Sequence, residues 1–284
     1  MSKVAVVTDS TAYIPDELVA KHNITVAPQI LIWGDETFQD GVDIMPNEFY
    51  KRLSNAKVMP STSQASPATL KTIFEKLLEG GFDVLGIFIS TKLSGTIASA
   101  LQAKEMLPKA KDKIAIVDSN STSMGLGFIV LTAARAALAG EKLAECAKLA
   151  EEAYAHTGVF FVVETLEFLR RGGRIGGAQA LLGTALNIKP VLELRDGRIE
   201  SIEKVRTKGK ALDRIVELIV EKVAGRTPVR LATLHANAEA EARSTLEKTS
   251  AQLHPIESVF ASVSPVIGTH AGPGTVGLAF MAGM

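Results

Sequence analysis

The sequence predicts an α/β protein: a doubly wound parallel-sheet domain over residues 1–155, followed by a mixed α/β domain over 156–284. Three observations predict it. Short apolar, β-branched runs alternate with helical stretches through the first half, as in a parallel sheet covered by helices. Those runs end in hydroxyls: Thr8 and Ser10, Ser90 and Thr91, Ser119 and Ser121. From Thr157 the texture changes, and Asp196-Gly197 between two strand-like runs is a two-residue hairpin signal.

In chain order, Lys3 to Asp9 reads as a buried strand and Pro15 to His22 as a short helix. Ile24 to Trp33 is an apolar run that Pro28 places at an edge or makes irregular. Pro46 to Ser54 is a short helix with proline near its start. Ser66-Pro67 is an N-cap followed by proline at the first helical position, because Lys71, Ile73, Phe74, Leu77 and Leu78 continue with helical spacing to Gly80-Gly81. Val84–Ser90 and Ile114–Val117 are strands, with helices from about Ile97, about Leu126 and Leu143.

In the second half, Val159–Val163 is a strand and Thr165 caps a helix through Arg170. A helix is expected over Gln179–Leu186, and strands over Ile188–Arg195 and Arg198–Val205. Ala211–Val223 and Ala238–Leu253 are helices, with strands at Val229–His235, Ile256–Val263 and Thr275–Met281. The last strand is placed in the second domain or returning toward the first.

The chain of 284 residues is 46% hydrophobic and 22% charged, long enough for two domains with a real core. Lys plus Arg and Asp plus Glu balance at 31 each, which offers no basic field for nucleic acid or anionic lipid. Cys146 is the single cysteine, so there is no disulfide framework or thiolate metal cage, and the histidines lack ligand spacing. No run approaches a membrane span and no signal segment is recognisable, so a cytoplasmic setting is expected.

The chemistry concentrates in Pro60-Ser61-Thr62-Ser63-Gln64-Ala65-Ser66-Pro67. It reads as a loop of free donors ahead of a helix, able to hold an anion or simply to cap a turn. Hydroxyl-ended strands favour binding, because ligands sit beyond the carboxyl ends of such strands. Arg170, Arg171 and Arg174 form a basic cluster, readable as a solvated helix end or as an anion or partner contact. His270 lies between glycines in what reads as an exposed loop. Gly272-Pro273-Gly274-Thr275-Val276-Gly277 matches a dinucleotide fingerprint by letter, but no helix and second strand fit after it. No phosphate loop or nucleophile elbow is present. These residues leave open a carrier or sensor of an amphiphile and an enzyme acting on a small carboxylated or phosphorylated substrate.

Taken together, Thr8-Asp9-Ser10, Ser61-Thr62-Ser63-Gln64, Ser94-Gly95-Thr96, Asp118-Ser119, Leu169-Arg170-Arg171-Gly172-Gly173-Arg174-Ile175 and Gly268-Thr269-His270-Ala271-Gly272-Pro273-Gly274 resemble the DegV family over nearly the whole chain. The resemblance implies a bacterial protein that holds one long-chain fatty acid, such as palmitate, between its two domains. It implies carboxylate contacts at Thr62 and Ser94, with Ser63, Arg170 and His270 nearby. Arg206 and His270 fall on positions implied to meet a partner, a separate ATP-dependent fatty acid kinase making acyl phosphate for phospholipid synthesis. It implies no catalytic residue, metal or cofactor in this chain. Ala65 departs from the pattern, where proline often follows the glutamine, and is expected to loosen the loop without removing a donor. Phe160, Phe161, Leu181, Leu182, Leu186, Leu192, Phe260 and Phe280 are candidates for the tail lining, and each is also ordinary core.

Overall fold

The computed structural model describes residues 3–182 and 188–284. The chain opens with β1 (Lys3–Asp9), α1 (Asp16–Lys21), β2 (Thr25–Ala27), β3 (Ile30–Trp33), β4 (Glu36–Gln39), α2 (Pro46–Leu53) and β5 (Ser61–Ser63). The run 24–33 is therefore two strands. Pro28 has no N–H to give a ladder, and the chain passes there from parallel pairing with β1 to antiparallel pairing with β4 and β5. Residues 61–63 are not a loop but an edge strand, with Leu31 opposite Thr62. Of its three side chains Thr62 is the half-buried one, as alternation on a strand requires.

α3 (Pro67–Glu79) begins as expected, with Ser66 Oγ accepting from the Thr69 N–H at 3.0 Å and Pro67 in the first turn. β6 (Phe82–Phe88), α4 (Thr96–Glu105), β7 (Ile114–Asp118), α5 (Ser123–Leu138) and α6 (Leu143–Ala153) follow. The order β2-β1-β6-β7 makes an all-parallel sheet with helices on both faces. Val84 and Phe88 of β6 pack with Leu70 and Phe74 of α3 and Ala100 of α4. Leu85 and Ile87 point the other way, into the core shared with Phe128, Leu131 and Cys146 of α5 and α6. The period-2 alternation of one strand thus serves two helical layers.

The second half comprises β8 (Thr157–Val162), α7 (Glu167–Arg171), β9 (Lys189–Arg195), β10 (Arg198–Val205), α8 (Lys208–Val223), β11 (Val229–His235), α9 (Glu239–Leu253), β12 (Glu257–Val259), α10 (Pro265–Ala271) and β13 (Val276–Ala282). Its sheet runs β10-β9-β8-β13-β11-β12, antiparallel except at β11-β12. Asp196 and Gly197 turn the β9–β10 hairpin with φ of +49° and +78°, the positive pair that a two-residue turn of this hand needs. β13 fills the centre of this sheet rather than returning to the first. A short 3-10 helix occupies Gly176–Leu181; residues 183–186 of the helix expected there, Leu186 included, lie outside the described residues.

α5 stands between the two sheets. Residues of β1 and β6 from one side and Val159, Phe161, Leu194 and Ala279 from the other share a core cluster with it. The opposite face of the second sheet, with Phe160, Val162, Val191 and Phe280, is closed by α8 and α9.

Candidate ligand-binding site

A narrow cavity of about 90 Å3 lies where the carboxyl-end loop of β6, the strand β5 and the helix α10 meet the inner face of the second sheet. Its polar end holds Thr62, Ser63, Gln64, Ser94, Gln29, Arg174 and His270. Its walls are mainly apolar, among them Ile89, Val159, Phe161, Leu194, Leu234 and Val263, and also include Thr11, Thr122, Ser123 and Thr275. Thr62 and Ser94, from separate segments, therefore border one space.

Thr62 Oγ1 lies 2.7 Å from His270 Nε2. The histidine is on a helix, not in an exposed loop: Ser264 caps α10 through the Ile267 N–H at 3.2 Å, and Pro265 takes the first position. Gly268 and Gly272 are places of close approach, under Tyr50 and Phe168 respectively. Burial, and then the charge of Arg174, push the His270 pKa down to about 4, so the ring is neutral at neutral pH. Nδ1 is buried against Gly172 with no partner among the described residues. Protonating Nδ1 would bury a donor without an acceptor. Protonating Nε2 instead lets the ring donate to Thr62 and leaves the threonine proton free.

Ser94 Oγ is 2.9 Å from Thr96 Oγ1, which accepts from Gln29 Nε2 at 2.8 Å. Gln29 Oε1 accepts from the Ala65 N–H at 2.9 Å. Ala65 therefore adds a tether that a proline has no N–H to make, and it ties the segment down rather than loosening it. Below, the Gln29 N–H donates to Ser10 Oγ (3.0 Å), which itself donates to Asp40 Oδ2 at 2.6 Å. Burial raises the Asp40 pKa to about 7. The Val266 N–H of α10 donates to Asp40 Oδ1 at 3.3 Å, so one carboxyl links the first sheet to the helix that carries His270.

Among the arginines the structure separates roles that the sequence had grouped. Arg170 is exposed and grips Glu167 through Nε and Nη2, both at 2.8 Å. It is not among the residues lining the cavity. Arg171 shares that carboxylate. Arg174, beyond the turn at Gly173 (φ +72°), points inward, lines the cavity and donates from Nε to the Leu93 carbonyl at 3.0 Å. Arg206 is exposed between β10 and α8.

Most of the strand-end hydroxyls are engaged within the first domain rather than at the cavity. Ser119 Oγ donates to the Ser121 carbonyl and accepts from the Ser121 N–H, Thr91 donates to Asp118, and Ser10 to Asp40. Of the tail candidates among the described residues, only Phe161 lines the cavity; Phe160 and Phe280 face α8, one residue out of phase on their strands. Phe260 lies outside it, under the Arg243 guanidinium. Sequence reasoning named Arg174 only as one of a cluster, and it missed Gln29 and Thr122, whose hydroxyl borders the cavity, buried and without a partner among the described residues. The signal for Gln29 was an amide inside an otherwise apolar run, since a buried amide has to be satisfied by something specific.

A parallel α/β sheet and a mixed sheet meeting at a cavity that carries several hydroxyls place the chain in the class of two-domain α/β proteins. The family described as "Uncharacterised protein, DegV family" matches residues 3–283, and the chain belongs to it. A DegV domain-containing protein of Streptomyces coelicolor is 38% identical over 277 residues, 97% of each chain. Protein DegV of Bacillus subtilis is 36% identical over 278 residues, 97% of this chain and 98% of that one. Among solved structures, a DegV family protein of Thermus thermophilus described for its fatty acid binding has a TM-score of 0.93 at 34% identity, over 99% of both chains. DegV of Bacillus subtilis, described as a fatty acid binding protein, has a TM-score of 0.90 at 35% identity, over 99% of this chain and all of the other. Among the described residues no helix is long and apolar enough to cross a membrane.

Proposed function

We propose that this chain binds one long-chain fatty acid, palmitate or a relative, and offers its carboxylate to a separate fatty acid kinase. The observation that carries the reading is the shared cavity of Thr62 and Ser94, whose lining combines those hydroxyls with a majority of aliphatic side chains and Phe161, the hydroxyls of Thr11, Thr122, Ser123 and Thr275 being interspersed among them. A buried methylene is worth about 0.8 kcal/mol, so a palmitoyl tail offers on the order of 10 kcal/mol before ordering costs. The carboxylate cannot be buried unpaired. Hydroxyl donors at Thr62 and Ser94, with Ser63 alongside and the Arg174 charge nearby, meet that demand without a bidentate arginine clamp. Arg170, held by Glu167, anchors α7 and stays outside the ligand site.

Presentation to a partner is supported by an outer cleft of about 170 Å3 that shares Thr62, Arg174 and His270 with the inner cavity. The head group thus sits one hydroxyl away from the surface. His270 faces both spaces and Arg206 supplies an exposed cation, and both are partner contacts in this reading. The relatives described as fatty acid binding proteins support the ligand class.

Native mass spectrometry of the protein purified from bacteria tests the reading: a co-purifying fatty acid is expected. Thr62→Ala with Ser94→Ala is expected to empty the site with the fold intact, and an unchanged lipid load in that variant would sink the contacts. With ATP and a fatty acid kinase, acyl phosphate is expected only when both proteins are present.

A further inference from the structure

We infer that Gln29 and Thr96 are positioning residues that force Ser94 to donate its proton into the cavity, and so make the site prefer an ionised head group over a neutral one on the same tail. The inference rests on the fatty acid reading above and adds what sets its selectivity.

The direction of each hydrogen bond follows from counting protons. A backbone N–H only donates, so the Gln29 atom facing Ala65 at 2.9 Å is the carbonyl oxygen. The other end of the same amide is then the NH2 group, and it donates to Thr96 Oγ1 at 2.8 Å. Thr96 is fully buried, and its hydroxyl has one further neighbour, Ser94 Oγ at 2.9 Å, among the described residues. Were Ser94 to donate to Thr96, the Thr96 proton would be buried with no acceptor, a state that costs roughly 1–3 kcal/mol. Thr96 therefore donates to Ser94. Ser94 Oγ has no other protein partner among the described residues, and its own proton is left to face the cavity that it lines.

A hydroxyl polarised in this way meets an acceptor. A carboxylate is acceptor only. An alcohol of the same length accepts the same bond without a charge behind it and gains less from it. The chain Ala65 to Gln29 to Thr96 to Ser94 is fixed before the ligand arrives, so no hydroxyl has to reorient on binding.

The test is titration of the delipidated protein with palmitate and with palmityl alcohol, beside thermal unfolding of each variant. Thr96→Val keeps the Gln29–Ala65 tether and removes the relay; the ratio of palmitate to alcohol affinity is expected to fall roughly tenfold, in the range of one hydrogen bond to a charged group. Thr96→Ser restores the hydroxyl and is expected to restore the ratio. Gln29→Glu replaces the donor with a second acceptor, turns the relay around, and is expected to lower the ratio further. Equal weakening of both ligands in Thr96→Val, or no change, overturns the relay, as does a Thr96→Ser protein that behaves like Thr96→Val. If the unsubstituted protein binds palmitate and only the ratio fails to move, the relay alone falls. If it binds neither ligand, the fatty acid reading falls with it.

Discussion

The imidazole Nδ1 of His270 occupies the space where a Cβ on residue 172 would be. Gly172 has an ordinary helical backbone, so it is the close approach of the ring, and not the φ angle, that demands glycine. Gly172→Ala is expected to push the ring off Thr62, lower palmitate affinity about tenfold and cost roughly 1–3 kcal/mol of stability by overpacking. Titration and urea unfolding read the two effects separately. An unchanged affinity would show that the ring can move without consequence.

His270 and Asp40 make stability depend on pH in opposite senses. Burial lowers the ring from 6.5 to about 4 and raises the carboxyl from 3.8 to about 7. Between pH 4 and 6.5 the unfolded chain carries a proton on His270 that the native state lacks, so this group makes stability rise with pH. Between pH 3.8 and 7 the native state carries a proton on Asp40 that the unfolded chain lacks, so the carboxyl makes stability fall with pH. Asp40→Asn removes only the second effect. The stability of the variant minus that of the parent is expected to grow across this interval, by on the order of a few kcal/mol. Urea unfolding across the interval checks it, and a flat difference curve contradicts the burial of a protonated Asp40.

Arg170 and Arg174 should separate cleanly. Arg170→Ala removes an exposed ion pair and is expected to change stability by less than about 0.5 kcal/mol, with palmitate affinity unaltered. Arg174→Ala removes the charge at the head-group end and is expected to weaken palmitate several-fold while sparing palmityl alcohol. The reverse pattern in a binding titration would return Arg170 to the site.

Val159 faces the cavity from β8, two residues from Phe161. Val159→Phe is expected to fill part of the slot and shorten the acyl chains that co-purify, read directly by mass spectrometry. Chains of the original length would mean that the tail runs elsewhere.

The alternation of strands and helices was legible because each apolar run is short and each break carries a named residue: Pro28, Ser66-Pro67, Gly80-Gly81, Asp196-Gly197. Thr62 and Ser94, named through the family motifs, line one cavity. What the sequence hid is what depends on distant contacts. β5 is a strand only because β3 lies beside it. The choice between Phe160 and Phe161 for the cavity depends on strand phase, where a shift of one residue exchanges faces. Which arginine turns inward was decided by the two glycines between Arg171 and Arg174, and Gln29 reaches Ser94 only through residues far along the chain.

One backbone N–H thereby acquires an influence out of proportion to its size. With proline at the place of Ala65 the buried Gln29 amide would have one anchor fewer, though no side chain at the cavity would change. If the relay holds, two family members with the same contact residues would differ in how sternly they reject uncharged lipids.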